Sequence, residues 1–150
     1  MHNSQRQDWF VEWFASPYYR LLYSNRDQNE AALLIENLIK KFNPNQATKI
    51  LDLPCGEGRH ALQLNQLGFD VTGADLSERS IQFAKQFENE TLKFFVHDIR
   101  KPFAENQFDW VLNLFTSFGY FNSEKENQNA MQTLSNALKP GGLLIIDFLN

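Results

Sequence analysis

The sequence predicts an α/β fold, a doubly wound, mostly parallel sheet covered by helices on both faces. Three observations lead there. From Lys49 onward, short apolar runs alternate with amphipathic stretches. The runs are apolar on consecutive residues, as in Ile50-Leu51 and Leu143-Leu144-Ile145-Ile146, which suits strands covered on both sides. Between most of them lies a helical pattern, the order expected of parallel strands joined by crossovers.

The elements follow in order. Residues 7–23 are rich in aromatics (Trp9, Phe10, Trp13, Phe14, Tyr18, Tyr19, Tyr23), with Pro17 ending a first helical stretch. A stronger helix follows. Asp27 with Glu30 resembles a cap, and Ala31, Leu34, Ile35, Leu38, Ile39 and Phe42 share one face before Asn43-Pro44 stops it. Ile50–Leu53 reads as a short buried strand and 54–58 as a loop. Residues 59–67 read as a helix closed by Gly68, and Phe69–Asp75 as a second strand. Ser77 caps a helix carrying Ile81, Ala84 and Phe87. Leu92–Val96 and Asp109–Phe115 are the third and fourth strands. Ser123 with Glu126 forms a capping box for a helix that turns Ala130, Met131, Leu134, Ala137 and Leu138 inward. Lys139-Pro140-Gly141-Gly142 is then a turn into a fifth strand, Leu143–Phe148.

Composition sets the limits. A length of 150 residues is that of one ordinary domain, and 43% hydrophobic content with 14 Phe, 4 Tyr and 3 Trp supports a real core. The absence of any long apolar run argues against a membrane span, and the N-terminus carries no signal-peptide pattern. A net charge of −4 gives no broad reason to bind nucleic acid or an anionic membrane. The lone cysteine, Cys55, makes neither an internal disulfide nor a thiolate metal cluster, so no metal is expected and a cytoplasmic location is. The 15 Asn and 11 Gln are scattered and form no low-complexity tract.

In a sheet of this kind ligands bind beyond the carboxyl ends of the strands, and four such ends carry special residues. The first, Asp52-Leu53-Pro54-Cys55-Gly56-Glu57-Gly58-Arg59, joins close backbone approach at glycine to the free amides of a helix N-terminus. Gly56-x-Gly58-x-x-Ala61 satisfies the dinucleotide pattern, a weak signal on its own. The second is Asp75, suited to two ribose hydroxyls. The third is His97-Asp98-Ile99, a carboxylate for an exocyclic adenine amine beside an apolar residue for the ring. The fourth is Asn113–Tyr120, polar and aromatic, where a substrate would meet a cofactor.

Together these segments resemble class I S-adenosylmethionine-dependent methyltransferases, in their small-molecule branch. Leu51–Arg59 is similar to the D-x-G-C-G-x-G loop of that family, and Gly73-Ala74-Asp75-Leu76-Ser77 to its second motif. His97-Asp98-Ile99 is similar to the third, Phe108-Asp109-x-Val111 to the fourth and Leu138–Gly142 to its L-k-P-G-G turn. Order and spacing agree over residues 47–148. Pro54 departs from the glycine commoner there.

The resemblance implies a Rossmann-like methyltransferase fold and S-adenosyl-L-methionine as cofactor. It also implies a set of roles. Asp52 would steady the loop and receive the methionine ammonium, and the Pro54 loop with Gly56 and Gly58 would admit the methionyl and ribose parts. Asp75 would hold the ribose and Leu76 pack on adenine. Asp98 and Ile99 would fix adenine, while Asn113 and Leu114 would flank the amino acid moiety and sulfonium. Residues 1–46 would be a helical lid or cap bearing Tyr18, Tyr23 and Arg26, and 47–150 the cofactor domain. No catalytic base stands out. Cys55 has no evident His partner, and His60 and His97 read as packed residues.

The resembled fold usually has seven strands, so the reading is of a domain ending after five. Its fifth strand would be an open edge prone to self-association, and the fragment would not be fully active. Two rivals stay open at this point: a nicotinamide-dependent oxidoreductase, and a non-catalytic S-adenosylmethionine-binding or assembly module.

Overall fold

The structure is a computed structural model that describes residues 12–13, 16–18, 28–114, 119 and 121–147. Its elements are α1 (Gln28–Phe42), β1 (Lys49–Asp52), α2 (Arg59–Gln66), β2 (Asp70–Asp75), α3 (Glu78–Ala84), β3 (Leu92–Val96), β4 (Phe108–Asn113), α4 (Glu124–Ala137) and β5 (Leu138–Ile146). A 3₁₀ turn, Lys85–Phe87, extends α3. The five strands form one parallel sheet in the order β3-β2-β1-β4-β5. The direction of strand addition reverses between β1 and β4, so the switch point opens beside the ends of those two strands.

Two apolar layers sandwich the sheet, because consecutive strand residues face opposite sides. Ile35 of α1, Ala61 and Leu64 of α2, and Ile81 and Ala84 of α3 meet Ile50, Val71, Phe94 and Leu112 on one face. On the other, Ala130, Leu134 and Ala137 of α4 meet Leu51, Leu53, Ala74 and Val111. Thus α1 packs into the same core as the strands. The predicted face of α1 holds: Ala31 and Ile35 are buried, and the exposed Phe42 meets Trp110 edge-on at 5.9 Å. Asn43 ends the helix with a positive φ of 44°. The proposed Asp27 cap lies outside the described residues.

Both predicted serine caps form. Ser77 Oγ accepts from the Ser80 amide at 3.2 Å, and Ser123 Oγ from the Glu126 amide at 3.2 Å. The third strand has the predicted bounds, and the first, second and fourth are offset by one or two residues. The fifth differs more. Pairing with β4 starts at Leu138 opposite Phe108, lapses, and resumes at Leu143 opposite Trp110. The predicted Lys139–Gly142 turn is therefore an excursion inside β5, with Gly141 at φ 77°. Leu138 is held by the side chains of its neighbours on β4 and α4, a tertiary contact that local sequence does not reveal. Among the described residues, β5 pairs with β4 alone. No helix among the described residues is long and apolar enough to cross a membrane.

Candidate cofactor site

The site is assembled at the carboxyl ends of β1, β2 and β4. Asp52 ends β1 on the face that carries Ile50, so its side chain is drawn into the sheet rather than into water. It is 1% exposed, and neither carboxylate oxygen has a hydrogen-bond partner. Burial pushes its pKa from 3.8 up to about 8. The Asp75 charge adds to that rise, and the Ala61 amide, acting from beyond hydrogen-bond geometry, opposes it. A buried carboxylate with no partner is costly unless a cation or donor meets it.

The loop after Asp52 is steadied by Asp75, not by Asp52. The Gly56 amide donates to Asp75 Oδ2 at 2.8 Å, and the Ser77 amide to Asp75 Oδ1 at 2.8 Å. The Cys55 amide donates to the Ala74 carbonyl at 2.8 Å, which locks the loop onto β2. Burial raises the Asp75 pKa, with the Ser77 and Gly56 amides opposing. A carboxylate offers about four acceptor positions, so each oxygen of Asp75 keeps capacity for a further donor.

The two loop glycines do different work. At Gly56, with φ 55°, a Cβ would meet nothing within 4 Å, so its bare face looks onto open space. At Gly58, with φ 85°, a Cβ would lie 2.7 Å from the Phe94 ring. Gly58 therefore makes room for a buried aromatic, and Gly73 does the same, its Cβ position 2.6 Å from that ring. Gly58 is also the N-cap of α2 and supplies no side-chain cap, so the first amides of that helix are left for backbone or ligand. Pro54 follows Leu53 through a cis peptide and is half-buried.

Across the switch point, Asn113 ends β4 fully buried. Its Nδ2 donates to the Leu53 carbonyl at 3.1 Å, and its Oδ1 has no partner. Leu114 is buried in the α1–α3 layer. Cys55 is buried within the loop, and burial with the Asp52 and Asp75 charges pushes its thiol up, which makes it a poor nucleophile. His60 is buried on α2, and burial followed by the Arg59 charge lowers its pKa to about 4.

Residues 50–142 match the model of the methyltransferase domain family. The chain belongs to this family. It is 31% identical to a glycine/sarcosine N-methyltransferase of Halorhodospira halochloris over 94% of its own length and 53% of the other. It is 30% identical to dTDP-3-amino-3,4,6-trideoxy-alpha-D-glucopyranose N,N-dimethyltransferase of Streptomyces venezuelae, over 86% of this chain and 54% of that one. Among solved structures it resembles a TehB-like SAM-dependent methyltransferase from Corynebacterium glutamicum, at a TM-score of 0.69 and 28% identity, over 87% of this chain and 73% of that one. The chain spans about half the length of the curated relatives it matches.

Against the roles expected of a methyltransferase domain, the structure gathers Asp52, Pro54, Gly56, Asp75 and Asn113 at the switch point, with Leu76 half-buried after β2. Gly58 belongs to the loop but packs inward. Ile99 is buried with Leu53, Ala74 and Phe108 rather than open to a ring. Asp98 is taken up by Arg100, whose amide and side chain both donate to it. Tyr18 is 71% exposed. Tyr23, Arg26 and Tyr120 lie outside the described residues.

Sequence reasoning missed Arg100 and the second role of Glu126. Glu126 reads as a capping residue, and the cap forms, but its Oε1 also pairs with Arg100 at 2.9 Å. The available signal was the charge at Arg100 two residues after Asp98. A separate open cleft of about 390 Å³ lies at the opposite ends of the strands, lined by Lys49, Asp70, Thr72 and Lys139 among others. It is remote from the switch point.

Proposed function

We propose that the chain is the cofactor-binding part of an S-adenosylmethionine-dependent methyltransferase that acts on a small-molecule acceptor. The observation that carries this is Asp52: a fully buried carboxylate at the switch point, both oxygens unpartnered, beside a glycine loop with an open face. Such a group fits the ammonium of a methionyl moiety, which would supply the missing donors and the missing charge. The relatives that carry N-methyltransferase names support a small, amine-bearing acceptor. The family match also favours methyl transfer over hydride chemistry on the same loop.

S-Adenosylmethionine, when bound, supplies an activated sulfonium methyl. The rest is the protein's part, and it is mostly positioning and exclusion of water. Asp52 holds the ammonium and the α2 N-terminus faces the carboxylate. Asp75 takes the ribose hydroxyls on the lone pairs that Gly56 and Ser77 leave open. Leu76 borders adenine, and Asp98 accepts from its amine. Asn113 Oδ1 and Leu114 border the amino acid and sulfonium. Residues 1–46, with Tyr18 and Tyr23, serve as the cap, and α1 anchors that segment to the core. Aromatic faces there would favour a cationic ligand. A cytoplasmic location belongs to the same proposal, and the outer edge of β5 would accept a further strand from this or another chain.

Isothermal calorimetry tests the reading. S-Adenosylhomocysteine is expected to bind and NAD not to. The reverse result overturns it. Binding without methylation of any amine, thiol or hydroxyl metabolite in a broad screen would favour a non-catalytic module.

A further inference from the structure

The loop after β3 and the start of α4 are far apart in sequence, yet one side chain joins them. Arg100 Nε donates to both oxygens of Asp98, at 3.0 and 3.1 Å, and Nη2 donates to Oδ2 at 2.8 Å. The Arg100 amide adds a bond to Asp98 Oδ1 at 2.9 Å. The opposite arm of the guanidinium reaches Glu126 Oε1 at 2.9 Å, and Arg100 Cζ lies 5.2 Å from the centroid of the Phe121 ring. The side chains of Arg100 and Asp98 are 17% and 14% exposed, so this is a shielded fork rather than a surface ion pair. Beside it, Thr133 Oγ1 of α4 donates to the Lys101 carbonyl at 3.0 Å.

The geometry points to Arg100 as a positioning residue that couples the adenine side of the site to the first turn of α4. It fixes the Asp98 carboxylate through one arm and the first turn of α4, the helix that follows the segment after β4, through the other. Only a planar guanidinium holds two carboxylates this way, and Lys at the position would give a point contact. With Asp98 so held, its carboxylate has one favourable direction left in which to accept from a purine amine. If α4 moved, Arg100 would turn and that direction would change. The inference rests on the proposed cofactor reading and deepens it: Glu126, in the first turn of α4, should influence how the purine is read.

The test is purine discrimination measured by calorimetry on the whole chain. The two probes are S-adenosylhomocysteine and S-inosylhomocysteine, which carries a carbonyl oxygen in place of the purine amine. The wild-type protein is expected to favour the adenosyl ligand by about tenfold or more, the size of a hydrogen bond to a charged acceptor. Asp98→Asn and Arg100→Gln should each bring the ratio near one. Arg100→Lys should restore part of it, and Glu126→Gln should lower it about threefold, a fraction of that same bond. Arg100→Gln combined with Glu126→Gln should be no worse than Arg100→Gln alone.

The ratio is its own control for folding, because a damaged fold weakens both ligands alike. A uniform loss with an unchanged ratio in Arg100→Gln, or an unchanged ratio in Glu126→Gln, overturns the inference while leaving the cofactor reading intact. Failure of wild-type protein to bind either ligand overturns the cofactor reading, and the inference with it. Binding of both ligands equally by wild-type protein overturns the inference alone.

Discussion

The acidic groups at two strand ends are solved in opposite ways. At the end of β1, Asp52 is buried with no hydrogen bond to either oxygen, and its pKa rises to about 8. After β3, Asp98 is also shielded, but Arg100 surrounds it. Burial raises its pKa, and the Arg100 side chain, amide and charge, with Lys101, more than offset this, so the net shift is downward. The first is a site that the folded chain leaves incomplete. The second is met by the chain's own Arg100 in all but one direction. Unsatisfied buried charge lowers stability and needs an external partner, whereas satisfied charge organises the chain itself. The contrast separates an acid left without a partner from an acid whose direction the chain itself has set.

The largest expected effect sharpens this contrast inside the glycine loop. Gly58→Ala sets a Cβ 2.7 Å from the buried Phe94 ring at φ 85°, and should cost about 3 kcal/mol or more in urea unfolding. Gly56→Ala meets only open space and should cost about 1 kcal/mol from its left-handed backbone, while weakening S-adenosylhomocysteine more than Gly58's stability effect would suggest. Equal unfolding costs for the two would break the distinction between packing glycine and ligand-facing glycine.

Next come the two acids, which should move stability in opposite directions. Asp98→Ala frees a fork held at 2.8 to 3.1 Å and should cost about 2 kcal/mol. Asp52→Asn should stabilise the ligand-free protein at pH 8. The folded-state pKa of Asp52 lies above its ordinary 3.8, so the folded state holds that proton more tightly than the unfolded state. Its contribution to stability is fully present below pH 3.8 and is lost as pH rises toward 8. The Asn variant lacks that loss, so its advantage in unfolding experiments should grow across this window. A destabilised Asp52→Asn at pH 8 would show that the carboxylate already has a partner.

Smaller effects test the frame around the sites. Ser77→Ala removes the cap of α3, whose Oγ accepts at 3.2 Å, and should cost about 1 kcal/mol. Lys139→Ala removes an exposed ion pair to Asp109 at 3.2 Å and should cost no more than about 0.5 kcal/mol. Asp109 keeps its bond from the Lys49 amide at 2.8 Å in that variant.

These differences also mark what the sequence can and cannot disclose. Strand identity was legible because Ile50-Leu51 and Val111-Leu112 are apolar on successive residues, which only a doubly covered strand requires. Asp52 was legible because an acid within a buried strand stands out from its neighbours. The ranking of Gly56 and Gly58 was not, since it depends on where the Phe94 ring falls after the chain has folded. Nor was the Arg100–Glu126 pair, because no local period links a loop to a helix beyond another strand. The excursion within β5 was hidden for the same reason: Pro140-Gly141-Gly142 reads locally as a turn, and only β4 and α4 draw Leu138 back into the sheet. The bond from the Gly56 amide to Asp75 was hidden too, because it joins the loop to the end of the next strand.

Asp52, buried with both oxygens unpartnered, is the group proposed to receive the ammonium of a methionyl cofactor. Calorimetric titration of S-adenosylhomocysteine into wild-type protein and Asp52→Asn, from pH 6 to 8 in buffers of differing ionisation enthalpy, tests it most directly. The cation favours the ionised carboxylate, so wild-type affinity should fall by up to about tenfold per unit as pH drops below 8. Binding should release a proton to the buffer. Asp52→Asn should bind about 100-fold more weakly than wild type at pH 8, release none, and lose the pH dependence. Equal affinity in the two proteins, or wild-type binding with no proton release and no dependence on pH, would contradict the account.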